Sequence, residues 1–366
     1  MPRKSRILPS MLRMASICVI GSLFFAGTGP AAAEEVLVTQ WGGPLEEART
    51  KHFWEPFERA TGIDVVLVSS NASKLLTSVE QGTPEADLTN LSGGTIAQWL
   101  ARDALEKIDY DQFETATLDG IANELKHPNG VGAIIYSMVM AYNTQEYPDA
   151  KPRPQNWVEY WDVEKFPGPR GMVGCGDRLI SGGALEFASL AGGATKDTLY
   201  PIDIDAAFAK LDELEPSIGK FWQQGAEAPQ ALISGELAMS TAFNGRIYSA
   251  QKDGGPVDLN WNDSLIQYDY WVVPKGSPNA ENAMKLIAFI TQAGPQAGFA
   301  NETSFGPVNQ NAYDDIPDDL AKWLPGSPDN MPKQIFQNFD WWNETGDDGK
   351  TNLEKAQEAC VSVLAR

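Results

Sequence analysis

Two histidines, a large excess of carboxylates and one conspicuous indole define the chemistry open to this chain. A Ser/His/Asp set would have to use His52, inside a helical stretch, or His127, beside Pro128, and neither neighbourhood supplies the partners. No G-x-S-x-G elbow, H-E-x-x-H pair or Walker-type glycine loop is present, and no close Cys/His spacing suggests zinc. A carboxylate pair for glycoside hydrolysis stays open, because Asp and Glu total 49 and spacing along the chain gives no separations in space. Two Ser-Gly-Gly turns, "LSGGT" at 91–95 and "ISGGAL" at 180–185, each lead from a strand into a helix. Such a turn offers backbone N–H groups to an anion or polar ligand, or is a simple helix cap. The indole is Trp41 in "TQWGGP": a large ring at a strand end, then two glycines, then a proline-started helix. It is either a core plug or a wall of a ligand crevice.

The elements around these residues alternate. A strand at 36–40 precedes a helix at 44–60, started by Pro44, stopped by Gly62 and expected to kink at Pro56. The run "IDVVLVS", the helix "ASKLLTSVEQG", the strand "ADLTNLS" and the helix "GTIAQWLARDAL" continue a β-α-β-α rhythm. That rhythm predicts a parallel sheet covered by helices on both faces. A Pro-rich stretch, "YPDAKPRPQNW", follows the apolar run ending near Asn143 and reads as a crossing into a second lobe, where the alternation repeats. In that lobe a strand is expected around "GMVGCG", helices at "GGALEFASLAG", "DIDAAFAKLDELEPSIGKF" and "APQALISGE", and a strand at "LAMSTAF". Further on, "LIQYDYWVVPKGSPNAENAMKLIAFITQ" gives a strand, a turn and an amphipathic helix with Ala283, Ile287 and Ile290 on one face.

The N-terminus carries Arg3, Lys4, Arg6 and Arg13, then the apolar run "MASICVIGSLFFAG" and an Ala31-x-Ala33 site. This reads as a secretory signal over residues 1–33; the run is shorter than the roughly 20 apolar residues of a spanning helix. Removing those four basic and no acidic residues takes the formal charge from −21 to −25, which excludes nucleic acid and anionic membrane as partners held by charge. Cys175 and Cys360 remain after cleavage, and an oxidising compartment favours bridging them.

Several segments taken together resemble the extracellular solute-binding proteins of ABC importers, in the branch containing the spermidine/putrescine-binding proteins. They are "WGGPLEEARTKHFWEPFERATGI", "ADLTNLSGG", "AMSTAFNGRIYSAQKDGGPVDLNW", "YDYWVVPKGSPNAENAMKLIAFI" and "FGPVNQNA", spread over nearly the whole chain beyond residue 33. The resemblance implies an α/β, two-lobe periplasmic-binding-protein fold of type II, with the ligand cleft between lobes joined by hinge crossings. Lobe 1 would comprise 34–142 plus 270–323, and lobe 2 would comprise 143–269 plus 324–366. Cys175 and Cys360 then share lobe 2. It further implies a monomer in the periplasm that is not an enzyme, needs no cofactor or metal, and delivers a small molecule to a membrane permease.

Position by position, the resemblance makes Trp41 an aromatic at the end of the first strand and Ser92 a polar residue after the third. Asp177 becomes a carboxylate of the second lobe, Phe243 the aromatic before Asn244-Gly245, Asp269 the acid that binds an ammonium, and Trp342 a neighbour of a polar pocket position. The sequence departs from the family pattern at Gly94 and Gln267, where rings are expected, and in "RLISGG", where a second acid is missing. Fewer acids and rings disfavour a long polyamine, while Arg246 after the "NG" turn and Arg178 beside Asp177 suit a ligand carboxylate in a fork geometry. The expected ligand is a short diamine or an ω-amino acid such as γ-aminobutyrate; an opine, another amino acid or a sugar, and a secreted hydrolase, are the alternatives. Tyr268 and Tyr270 alternate with Asp269 along a strand, so an inward Asp269 turns both tyrosines away from the cleft and weakens a metal-receptor reading.

Overall fold

The computed structural model describes residues 34–174, 179 and 181–364. Ten strands lie among them: β1 (Glu35–Thr39), β2 (Asp64–Val68), β3 (Thr89–Ser92), β4 (Lys126–His127), β5 (Gly130–Asn143), β6 (Arg170–Val173), β7 (Ile218–Trp222), β8 (Met239–Phe243), β9 (Val257–Val272) and β10 (Ile335–Phe336). β1 and β2 pair in parallel around the first helix, as a β-α-β unit must. A parallel bridge between Val38 and Leu88 and a 2.7 Å hydrogen bond between the Thr39 and Thr89 hydroxyls set β3 beside β1, and the other edge of β3 pairs antiparallel with β9. Local alternation could not show the antiparallel neighbour, because β9 comes from more than 150 residues downstream.

The larger sheet runs β10-β9-β5-β8-β6-β7, with β3 added on β9 and β4 on β5. Its axis is the antiparallel pair β5 and β9, two long strands with bulges near Gly132 and Met138. The apolar residues around this pair fall into two main cores. Ile135 and Ile266 belong to the first, with Phe53, Phe57, Trp99 and Trp271; Met138 and Leu265 belong to the second, with Trp157, Phe187, Trp222 and Trp342. Each long strand therefore leaves one core and enters the next within three residues. Polar side chains fill this transition: Ser137 Oγ is 2.6 Å from Gln334 Oε1, and Gln267 Nε2 donates to Gln337 Oε1 at 2.8 Å.

Two local expectations change. The first helix meets Pro56 with a change of pitch: it runs as Gly43–Arg49, a widened turn Thr50–Trp54 and Glu55–Thr61, with the Glu55 N–H bonded five residues back to Thr50. Proline lacks the N–H that would bond four residues back, and an inserted residue relieves the clash of its ring with that turn. The helix expected to run through "SIGKF" stops at Leu214; Pro216 ends it, and β7 follows with alternating exposure. Cys360 is buried and disulfide-bonded; Cys175 lies outside the described residues.

Candidate functional site

A cavity of about 490 Å³ is walled by elements of both main cores. The first contributes Trp41, Arg49, Asn90 and Asp269; the second contributes Phe243 and the start of the helix Asn244–Lys252; Thr303, Ser304 and Phe305 close its rim.

Trp41 stands just past β1, its backbone turned by Gly42 and Gly43, both at positive φ where a side chain would be strained. Trp41 is 60% exposed, against 0–8% for the tryptophans buried in the cores. A core plug would be covered, so Trp41 is a wall of the cavity. Two acceptors hold it: Glu46 Oε2 takes the Trp41 backbone N–H at 3.1 Å, and Asn90 Oδ1 takes the indole N–H at 2.6 Å. Glu46 uses its other oxygen for the indole N–H of Trp54, which fixes the acid in turn.

Asp269 sits on β9 opposite Ser92. Its carboxylate takes a hydrogen bond from Asn90 Nδ2 at 2.8 Å and another from Tyr136. Burial raises its pKa to about 6, against the pull of Arg49 and of those two hydrogen bonds. Arg49 is wholly buried, with its guanidinium over the Trp271 ring, 4.9 Å from the centroid, and Nη2 donating to Asn90 Oδ1 at 3.2 Å. Burial depresses its pKa to about 10, so it stays charged at neutral pH; Glu46 and Asp269 oppose the drop. Its Nε and Nη1 have no hydrogen-bond partner, and among the described residues no ion pair joins it to Asp269. A buried cation with two unpaired donors bears their desolvation cost, which an anionic group would offset.

Phe243 is half-buried, 6.0 Å from the Tyr136 ring and 6.1 Å from the Trp222 ring. Asn244, in the "NG" turn, is structural: it accepts the Ser137 N–H and donates to the Trp323 carbonyl. Arg246 is exposed at the rim, with no ion pair among the described residues.

Ser92 lies outside this cavity, in an adjoining chamber of about 330 Å³ that shares Trp41, Asn90 and Asp269 with it; its hydroxyl is 2.8 Å from that of Thr95. Gly93, next in the chain, serves packing, since a Cβ there would meet the Phe339 ring at 2.2 Å. Trp342 is sealed in the second core, its indole N–H bonded to the buried Glu186 at 2.8 Å, and it lines neither chamber. Glu186 needs that donor, with Tyr200 and Gln337, because an uncompensated buried acid is costly. Asp177 and Arg178 lie outside the described residues. Tyr268 and Tyr270 turn to the opposite face of β9, with ring centroids 5.2 Å apart, and pack into the first core. His52 Nε2 is 2.7 Å from Glu302, His127 Nδ1 accepts the Asn129 N–H, and neither lines the cavity.

Arg49, Asn90, Tyr136 and Phe305 are absent from the sequence-based site. Asn90 had a signal: strand residues two apart share a face, so a cleft-facing Ser92 carries Asn90 with it. Arg49 follows Leu45 by four on the first helix, and both line the cavity.

A profile described as "Bacterial extracellular solute-binding protein" matches residues 53–325. The gamma-aminobutyric acid-binding protein of Pseudomonas aeruginosa is 32% identical over 335 residues, 89% of this chain and 92% of that protein. The spermidine/putrescine-binding periplasmic protein of Escherichia coli is 24% identical over 196 residues, 52% of each chain. The solved Atu4243-GABA receptor structure superposes with a TM-score of 0.75 at 29% identity, covering 90% of this chain and 97% of that one. An α/β fold whose two cores flank a polar and aromatic cavity agrees with these matches, and the chain belongs to the bacterial extracellular solute-binding protein family.

Proposed function

We propose that this chain is the periplasmic receptor of an ABC importer, exported by a signal over residues 1–33, and that it captures a short ω-amino acid of the γ-aminobutyrate class. One observation carries the reading: a buried guanidinium with two unpaired nitrogens, Arg49, and a carboxylate, Asp269, flank one aromatic cavity without an ion pair between them. An ammonium then sits on Asp269 against the faces of Trp41 and Phe243, and a carboxylate reaches Arg49, with Arg246 closing from the rim. Ser92 and Asp177 are proposed as further polar contacts. The names of the Pseudomonas aeruginosa relative and of the solved receptor support the ligand class.

Two lobes are proposed, joined where β5 and β9 pass from one core to the other, with a Cys175–Cys360 bridge inside the second. The protein acts as a monomer, without turnover, and hands its ligand to a membrane permease. The polyamine-binding relative favours a short diamine as the second reading. Calorimetric titration with γ-aminobutyrate, 1,4-diaminobutane and an opine separates them. The expected result is one site for γ-aminobutyrate, with the diamine weaker by roughly 100-fold, because it leaves the buried Arg49 unpaired and brings a second cation towards it. Tighter binding of the diamine, or of none but the opine, overturns the ω-amino acid reading. Mass spectrometry of the recovered ligand should find it unchanged; a product would make the chain a hydrolase.

A further inference from the structure

Among the described residues, Asn90 is the side chain that hydrogen-bonds both charges of the cavity and the exposed indole. It lies on β3 opposite Trp271, the ring under Arg49, and diagonal to Asp269. Its amide orientation follows from its neighbours. The indole N–H of Trp41 and Nη2 of Arg49 are both groups that only donate, so the atom they meet at 2.6 Å and 3.2 Å is the oxygen. The NH₂ then faces Asp269 Oδ2, which accepts at 2.8 Å. A neutral amide is the side chain of this size that can satisfy a cation on one edge and an anion on the other while adding no charge of its own.

We propose that Asn90 is the specificity-determining residue of this cleft, a neutral spacer that keeps Arg49 and Asp269 unpaired and so sets the preference for a zwitterion over a dication; this rests on the ω-amino acid reading above. Without the amide, Arg49 and Asp269 are free to approach and neutralise each other. With a carboxylate in its place, the acceptor for Trp41 and Arg49 survives. Arg49 is then neutralised from within, and a second negative charge stands beside Asp269. The cavity changes from one positive and one negative pole to a net negative site.

The test uses the full chain, its Asn90→Asp and Asn90→Leu variants, and titration with γ-aminobutyrate and 1,4-diaminobutane. In Asn90→Asp the ratio of the diamine Kd to the γ-aminobutyrate Kd should fall by roughly 100-fold or more relative to the wild type, the scale of one added charge at close range. Asn90→Leu, which matches the shape but makes no hydrogen bond, should weaken both ligands together. A ratio unchanged in Asn90→Asp, with the melting temperature preserved, overturns the proposal. The spacer role also has a readout that needs no ligand. A crystal structure of unliganded Asn90→Leu should show Arg49 within ion-pair distance of Asp269; a structure in which the two stay apart overturns it. If the wild type binds neither compound, the ω-amino acid reading fails and the crystallographic arm alone decides the role of Asn90.

Discussion

Asp269 carries the pH dependence of this site. Its pKa is raised to about 6 because burial outweighs Arg49 and the hydrogen bonds from Asn90 and Tyr136. An ammonium ligand needs the ionised carboxylate, so affinity should be constant above about pH 6.5 and fall about tenfold per unit as pH drops from 6 towards 4.5. Calorimetry across that range checks this, and Asp269→Asn should bind weakly with no such slope. The effect on the unliganded fold has the opposite sign. A carboxyl whose folded pKa is raised destabilises the fold where it is ionised, above about 6, and that cost disappears as pH falls towards the unfolded value of 3.8. Acidification from 6 to 4.5 should therefore favour the unliganded wild type relative to Asp269→Asn while weakening ligand binding, a pair of trends that thermal melts with and without ligand will separate.

At the scale of elements, the widened turn Thr50–Trp54 decides which residues of the first helix meet the core and which meet the cavity. An uninterrupted helix would carry one residue fewer between Arg49 and Phe57 and rotate the two faces against each other by about 100°. With the insertion, Phe53, Trp54 and Phe57 are buried together; Phe57 packs edge-on against Phe289 and Trp54 edge-on against Trp271. Arg49 stays over the Trp271 ring, at the cavity. Phe57→Ala should cost about 3–5 kcal/mol of stability, measured by chemical denaturation, as expected for an aromatic truncated inside a packed core. Ligand affinity of the folded fraction should be little changed, since Phe57 does not reach the cavity.

At the scale of the whole molecule, β5 and β9 join the two main cores, and the cavity takes walls from both. A ligand that touches both walls favours the arrangement that brings them together, the hinge closure by which such receptors act. Saturating γ-aminobutyrate should lower the radius of gyration in small-angle scattering. At a hundredfold excess over Kd it should add about 2.7 kcal/mol of stability. An unchanged radius with a raised melting temperature would mean that the ligand binds one wall only.

Some of this was settled by the order of residues alone. The alternation of apolar runs, the Gly and Pro stops and the "TQWGGP" turn determine most helices, most strands and the place of Trp41 at a strand end, because these depend on neighbours within a few residues. The place of Asp269 on the cavity wall was legible through the segments around it, and the inward face of β9 through period-two alternation, which turned Tyr268 and Tyr270 aside. Tertiary structure decided the rest, because it depends on which distant segments meet. The antiparallel insertion of β9 beside β3 brings Asn90 against Asp269, 179 residues apart in sequence. The same insertion puts Trp271 beneath Arg49 and leaves that guanidinium buried with donors to spare, while the need of Glu186 for a partner draws Trp342 into the second core. Charge alone could have made Arg49 a solvated helix residue; its burial beside Asn90, within the field of Asp269, makes it the cation of the proposed site.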